Sequence, residues 1–287
     1  MMTTFKHEVL VVGSGAGGAM AAYELTKAGI NVLLLEAGRN YDPVKETPMF
    51  KRKADAPLMA AGNADKDFGY YDATVDGGWT VPDEPYTTDE DSEFLWWRAR
   101  MLGGRTNHWG RDSLRFSEHD FKGKSRDGLG ADWPFEYSDI APWYDKTEAL
   151  VGVCGTNTGL DDMPDSPPGV LHPPPKPRVP ELLVAAAANK LGMKAVPMHR
   201  AVLTRPKDDR AACFYATPCG HGCSIGAAFQ TTTSLLPMAQ KTGHLRVITD
   251  AMVKNVNTDA DGKVTGVTYI DKNQNKAISL TAKVVIL

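Results

Sequence analysis

The chain has 287 residues, 42% of them hydrophobic and 23% charged, with a formal net charge of −3 at pH 7. That length can bury one large or two ordinary cores, and the charge gives no reason to expect nucleic acid or an anionic membrane surface as a partner. No apolar run approaches the roughly twenty residues that span a bilayer, and residues 1–6 lack the basic-then-apolar pattern of a cleavable leader.

In chain order, Val9-Leu10-Val11-Val12 is a short run rich in β-branched residues, as a buried parallel strand should be. Gly13-Ser14-Gly15-Ala16-Gly17-Gly18 follows at once. Gly13 permits a tight turn, Gly15 lets a pyrophosphate approach the backbone, and Gly18 lets helix and strand pack closely. Residues 19–28 are small and apolar, and Gly29 is a natural helix stop. Residues 31–35 form a second apolar strand ending in Glu36, a carboxylate placed to hold both hydroxyls of an adenosine ribose. The free N–H groups of the helix N-terminus suit phosphate. A glycine turn in some other α/β unit is the plain alternative. The whole order of strand, glycines, helix, strand and acid favours a dinucleotide site. Ala37 closes this strand and should line the adenosine side.

Residues 40–93 are rich in Asp, Gly, Pro and Tyr and predict long loops with one short helix. The acid cluster over 83–93 predicts a solvated face. Residues 98–111, RARMLGGRTNHWGR, combine a glycine pair, polar hydrogen-bonders and an aromatic beside a histidine, which suits a loop pressed against a flat cofactor. Within residues 133–151, Trp133-Pro134-Phe135 leads to a helix capped by Ser138, with Ile140, Trp143, Tyr144, Thr147 and Leu150 on one core-facing stripe. Residues 164–180 predict an extended proline-rich surface strap without hydrogen bonds of its own. Pro180 opens a helix that Gly192 ends. Residues 227–241 predict a helix closed by Gly243, and strands are expected at 244–249, 253–258, 264–271, 277–280 and 283–287, with a hairpin turn at Asp261-Gly262. Cys154, standing alone, reads as a buried apolar residue. Cys213, Cys219 and Cys223 lie close in sequence, with glycines between the last two. They suit a disulfide with one thiol over, zinc with His221, or an iron–sulfur cluster, and composition alone does not choose.

The N-terminal unit and residues 98–111 together resemble the glucose–methanol–choline (GMC) oxidoreductases, which use FAD. Gly103-Gly104-Arg105-Thr106-Asn107-His108-Trp109 is closer to the branch of pyranose oxidase and the bacterial sugar dehydrogenases than to the commoner Gly-Gly-Ser-Ser-x-x-Asn pattern. Residues 133–153 and 244–270 resemble segments of the same branch. The resemblance covers nearly the whole chain. It implies an α/β fold: a doubly wound, Rossmann-like FAD-binding domain interleaved with an α+β substrate domain. The FAD-binding parts would span 1–111 and 227–287, the substrate side 112–200, and a cysteine segment 201–226. It implies that Gly13, Ser14, Gly15, Ala16, Gly17, Gly18, Glu36, Ala37, Arg100, Gly103, Gly104, Thr106, Asn107, His108, Trp109, Gly110 and Val253 line the cofactor. Val253 would meet the adenine through its backbone, and His108 would lie against the flavin, either bonded to it covalently or only packed on it.

The same branch carries three cysteines at this spacing around a 3Fe–4S cluster, so the resemblance assigns Cys213, Cys219 and Cys223 to iron. It implies hydride transfer from a CH–OH group of a sugar, glycoside or polyol to FAD, with electrons leaving through the cluster to a cytochrome. Alternatives are an oxidase using oxygen and an electron-transfer subunit without a substrate site. The family's catalytic histidine, with its His or Asn partner, matches no histidine here and is expected beyond residue 287, so residues 1–287 alone are expected to be inactive. Export to the periplasmic face with a small subunit bearing a twin-arginine signal is expected, a cytoplasmic enzyme being the alternative.

Overall fold

A computed structural model describes residues 6–47, 53–55, 59, 61, 64, 77–78, 81, 84–92, 94–215 and 219–287. The chain divides into two units. The first takes residues 1–109, 216–226 and 230–287, and the second takes 110–215 and 227–229.

The first unit is built on β1 (Val9–Val12), which pairs in parallel with β2 (Val32–Leu35) on one side. The helix α1 (Ala16–Lys27) makes the crossover. Further strands are β3 (Gly77–Gly78), β4 (Arg98–Ala99), β5 (Leu245–Ile248), β6 (Ala251–Thr258), β7 (Val264–Asp271), β8 (Lys276–Thr281) and β9 (Val284–Ile286). The parallel sheet has the order β5-β2-β1-β9, so the chain's late strands flank its first two. β6, β7 and β8 form a separate antiparallel sheet. Alternation along β1 and β2 decides the layers. Leu10, Leu33 and Leu35 join Ala251, Val267 and Tyr269 in one buried cluster between the two sheets. Val11 points the other way, toward α1. The mixed α/β, doubly wound expectation holds. The helix begins at Ala16, three residues earlier than predicted, because Gly17 and Gly18 belong to its first turn.

Most of residues 40–93 lie outside the described residues. Within them, α2 (Pro43–Glu46) starts on Asp42, whose carboxylate accepts the Val44 N–H at 3.0 Å. The acid cluster divides. Asp83 and Glu93 lie outside the described residues, and Asp89, Glu90 and Asp91 are exposed. Glu84 is no solvated acid. Its side chain is 10% exposed, and it pairs with Arg98, Arg100 and Lys272.

The second unit carries α3 (Glu118–Phe121), α4 (Gly123–Asp127), α5 (Tyr137–Val151) and α6 (Val179–Lys190). α5 is capped by Glu136, not Ser138. Asp139 reaches back to the Glu136 N–H at 2.9 Å, closing a capping box two residues earlier. Its predicted core stripe is corrected as well: Trp143 is 62% exposed, and the buried residues are Glu148 and Val151. A charged network turns the helix. Buried Arg115 gives Nε to Glu148 at 2.8 Å and Nη2 to Asp145 at 2.7 Å, and the Tyr137 hydroxyl accepts from Nη1 at 3.0 Å. Burial works against the guanidinium's charge, but the bonds to Glu148, Tyr137 and Asp145 outweigh it and hold the pKa above its usual value. The proline-rich strap is also corrected. Ser166 is buried and gives its hydroxyl to Glu148 at 2.7 Å. His172 pairs with the Val153–Gly155 backbone at 2.8 and 3.0 Å. Cys154 is fully buried, as expected, and burial raises its thiol pKa.

The predicted helix over 227–241 is a helix only as α7 (Leu235–Lys241). Ala227 and Phe229 are held extended by backbone bonds to Leu203 and Ala201, both at 2.8 Å. Thr231–Thr233 form a 3-10 turn. Three successive β-branched residues have little helical preference to resist this.

Candidate functional site

Two kinds of glycine make the turn after β1. A Cβ on Gly18 would lie 2.0 Å from the Gly13 carbonyl oxygen and 3.3 Å from Val11 Cγ1, so that glycine serves close helix–strand packing. Cβ atoms on Gly15 and Gly17 would meet nothing within 4 Å, which leaves open space at the start of α1. Gly15 caps α1 without any side-chain bond, so the first N–H groups of the helix face that space. Open room over exposed donors is what a phosphate requires.

Glu36, 6% exposed, sits at the end of β2. It accepts the Ser14 N–H at 2.9 Å and the Gly38 N–H at 2.8 Å, and also takes a short hydrogen bond from the Ser14 hydroxyl. β6 begins alongside, since Ala251 N–H donates to the Glu36 carbonyl at 2.9 Å and Asp250 N–H to the Gly38 carbonyl at 2.8 Å. Val253, two residues on, pairs with Tyr269 and packs on the inter-sheet cluster. Ala37, half-buried, leads to Gly38, where a Cβ would lie 2.1 Å from Arg100 C and Met101 N. This contact lays residues 98–102 beside the end of β2, joined by the Leu102 N–H to the Arg39 carbonyl at 2.8 Å. Arg100 gives its Nε to Glu84.

The loop after Leu102 turns at Gly103, whose φ of 86° favours glycine. Residues Gly104–Asn107 form a 3-10 turn. Thr106 and Asn107 are buried, and His108 and Trp109 follow, both half-buried. The His108 ring meets Trp97 edge-on at 6.2 Å between centroids. Gly110 opens the second unit. The structure therefore brings the glycine turn, Glu36 and the 103–109 loop together within the first unit.

Sequence reasoning missed the third segment of this site, Thr231 and Thr232. Thr231 Oγ1 donates to the Ser14 carbonyl at 3.0 Å, and Thr232 Oγ1 donates to Asn107 Oδ1 at 2.9 Å. The run Gln230-Thr-Thr-Thr was the available signal: three hydroxyls in a row are odd in a helix interior and ordinary in a polar clamp.

Among the described residues the cysteines form no metal centre. Cys213 belongs to the second unit, and its Sγ accepts the Tyr215 N–H at 3.2 Å. Cys219 and Cys223 belong to the first unit. Cys219 opens a 3-10 turn, and buried Cys223 offers its carbonyl to Gln230 Nε2 at 2.9 Å. Among the described residues no group of three His, Cys, Asp or Glu is placed to hold a metal ion. Residues 216–218, between Cys213 and Cys219, lie outside the described residues.

A family model described as GMC oxidoreductase matches residues 7–287. The chain belongs to the GMC oxidoreductase family. It is 32% identical over 98% of its length to 2-methyl-1,2-propanediol dehydrogenase of Mycolicibacterium austroafricanum, of which it covers 48%. It is 27% identical over 97% of its length to the fructose dehydrogenase large subunit of Gluconobacter japonicus, covering 52% of it. Among solved structures, an FAD-dependent oxidoreductase from Chaetomium thermophilum superposes with a TM-score of 0.57 at 14% identity, over 98% of this chain and 45% of that one. That likeness speaks for the fold alone. The chain thus spans about half the length of the curated relatives it matches.

Proposed function

We propose that the full protein is an FAD-dependent oxidoreductase that removes a hydride from a CH–OH group of a sugar, glycoside or other polyol. The observation that carries this is the open space over Gly15 and Gly17 at the α1 N-terminus, with the Glu36 carboxylate at the end of the neighbouring strand. The residues fit the cofactor. Backbone N–H groups at 15–17 would take the pyrophosphate, Glu36 a ribose hydroxyl, and Val253 the adenine edge through its backbone. Bound FAD supplies a two-electron acceptor. His108 and Trp109, carried on the 103–109 loop, would orient and shield the flavin, and His108 is the candidate for covalent attachment to it. No residue within 1–287 is assigned as the base that takes the hydroxyl proton. The relatives named for a diol and for fructose support a polyhydroxylated substrate.

The test is to denature the purified full protein and assay the supernatant and pellet for flavin, then to follow dye reduction with a panel of sugars and polyols. Flavin in either fraction, with substrate-dependent reduction, is expected. A protein that retains NAD and no flavin would defeat the proposal. Yellow colour staying in the acid pellet would assign the covalent bond to His108 if His108→Ala releases it. A relative named as an oxidase, 6'''-hydroxyparomomycin C oxidase of Streptomyces lividus, is 28% identical and favours oxygen as the alternative acceptor. Oxygen uptake matching substrate turnover would establish that alternative.

An iron–sulfur centre on Cys213, Cys219 and Cys223 rests on the resemblance of their spacing to that of the family branch, since the described residues do not form a metal site. Iron and sulfide content of the full protein decides it. A small exported partner subunit, a cytochrome acceptor and a periplasmic location are parts of the same proposal. One relative is named as a large subunit, which favours the partner. Fractionating cells with and without the adjacent small-subunit gene tests the location, and retention in the cytoplasm in both strains would reject export.

A further inference from the structure

We propose that Ser14 and Thr231 are positioning residues that couple the ribose end of the site to the flavin-facing loop through one directed hydrogen-bond chain. This rests on the flavin proposal above. Gly103 N–H donates to Ser14 Oγ at 2.7 Å. A hydroxyl has a single hydrogen, so the one on Ser14 points to its other partner, Glu36 Oε2. The chain therefore runs from the loop backbone through the serine to the carboxylate.

The other face of Gly103 is held too. Its carbonyl accepts the Thr106 hydroxyl at 2.6 Å, and Thr106 Oγ1 in turn accepts the Thr231 N–H at 3.2 Å. Thr231 then returns its own hydroxyl to the Ser14 carbonyl at 3.0 Å. Ser14, Asn107 and Thr231 are 0% exposed and Thr106 is 7% exposed, so water cannot stand in for a missing partner.

Counting acceptors gives the coupling its direction. A carboxylate has about four acceptor positions, and Glu36 already takes Ser14 N–H, Ser14 O–H and Gly38 N–H. One position is left for a ribose, although two ribose hydroxyls lie within reach of such a carboxylate. A second ribose contact displaces the Ser14 hydroxyl, and that hydroxyl is what Gly103 leans on. Occupancy at the adenosine end and the posture of the 103–107 loop are thus exchanged at one oxygen. A merely structural serine would support both ends alike.

The experiment compares FAD with ADP, which carries the adenosine end alone, in the full protein. Ser14→Ala frees a Glu36 position and removes the loop's support. ADP binding is expected to hold or tighten, while FAD binding weakens about five- to tenfold, the worth of one buried hydrogen bond. Thr231→Val should weaken FAD binding similarly, shift the flavin's visible absorption bands and change kcat more than KM. Thr231→Ser, which keeps the hydroxyl, should restore all three. Equal weakening of ADP and FAD in Ser14→Ala, or an unchanged flavin spectrum and affinity in Thr231→Val, would overturn the inference. Should Thr231→Val not fold, the ADP-against-FAD comparison in Ser14→Ala decides alone. A wild-type protein that binds ADP but no flavin would defeat the flavin proposal itself, and this inference with it.

Discussion

Replacing Gly15 and Gly18 by alanine separates the binding role of the glycine turn from its packing role, because one added methyl meets opposite surroundings at the two positions. At Gly18 the methyl would lie 2.0 Å from the Gly13 carbonyl oxygen, where real Cβ contacts stay above 3.0 Å, so α1 must move about 1 Å away from β1. Overpacking of this kind costs about 1–3 kcal/mol. Alanine's better helix propensity returns about 0.8–1 kcal/mol, which leaves a net loss between about 0 and 2 kcal/mol in the apo-protein. At Gly15 the methyl enters open space and φ is −65°, an ordinary value for alanine. Only the weaker capping of alanine opposes it, a loss below about 1 kcal/mol. Flavin should report the reverse order of directness. Gly15→Ala puts a methyl where phosphate must approach and should weaken FAD binding about ten- to hundredfold, equivalent to about 1.4–2.8 kcal/mol. Gly18→Ala weakens it through the displaced helix N-terminus. Urea unfolding followed by tryptophan fluorescence gives the stabilities, and quenching of flavin fluorescence gives the affinities. Gly15→Ala binding FAD as wild type would remove the turn from the pyrophosphate site. Gly18→Ala as stable as wild type would show that the helix does not rest on the Gly13 carbonyl.

Glu148→Gln should destabilise the second unit by about 3 kcal/mol, at the low end for a broken buried pair because Asp145 still faces Arg115. Arg115→Met with Glu148→Leu should recover most of that loss in urea unfolding, and a cost below about 1 kcal/mol in the single variant would contradict a buried ion pair. His172 predicts a pH dependence. Burial first, then Lys207, Arg205 and Arg210, lowers its pKa below the usual 6.5. The unfolded chain then takes up a proton that the folded chain refuses, so this contribution to stability is whole above pH 6.5 and is lost as pH falls toward the folded pKa. Thermal unfolding across that window should lose part of its slope in His172→Gln, and an identical slope would exclude His172 as the cause.

The local chemistry of the nucleotide end was legible in the sequence. Strand, glycines, helix, strand and Glu36 are read by rules that act within a few residues: β-branched runs, a turn that only glycine can make, and an acid at a strand's end. The late strands were legible for the same reason, since alternation and the Asp261-Gly262 turn need no distant partner. Where a distant partner competes, local reading failed. Residues 227–229 have helical composition, yet Ala201 and Leu203 draw their backbone into extended pairing. Trp143 sits at helical spacing with apolar neighbours, yet the helix turns to Arg115, because stranding a buried guanidinium costs more than exposing a ring. Glu84 sits in an acidic run that reads as surface until Arg98, Arg100 and Lys272 arrive from 14 to 188 residues away.

What the sequence by itself determined is therefore the strand–glycine–helix–strand unit with its closing acid, and the glycine turn at Gly103. What only the tertiary structure decided is how that loop is held. Thr231 lies 217 residues from Ser14 and 125 from Thr106, and no periodicity or spacing rule connects them. Hydrogen bonds between buried hydroxyls depend on where three backbone segments meet, and that meeting is set by the packing of the strands between them.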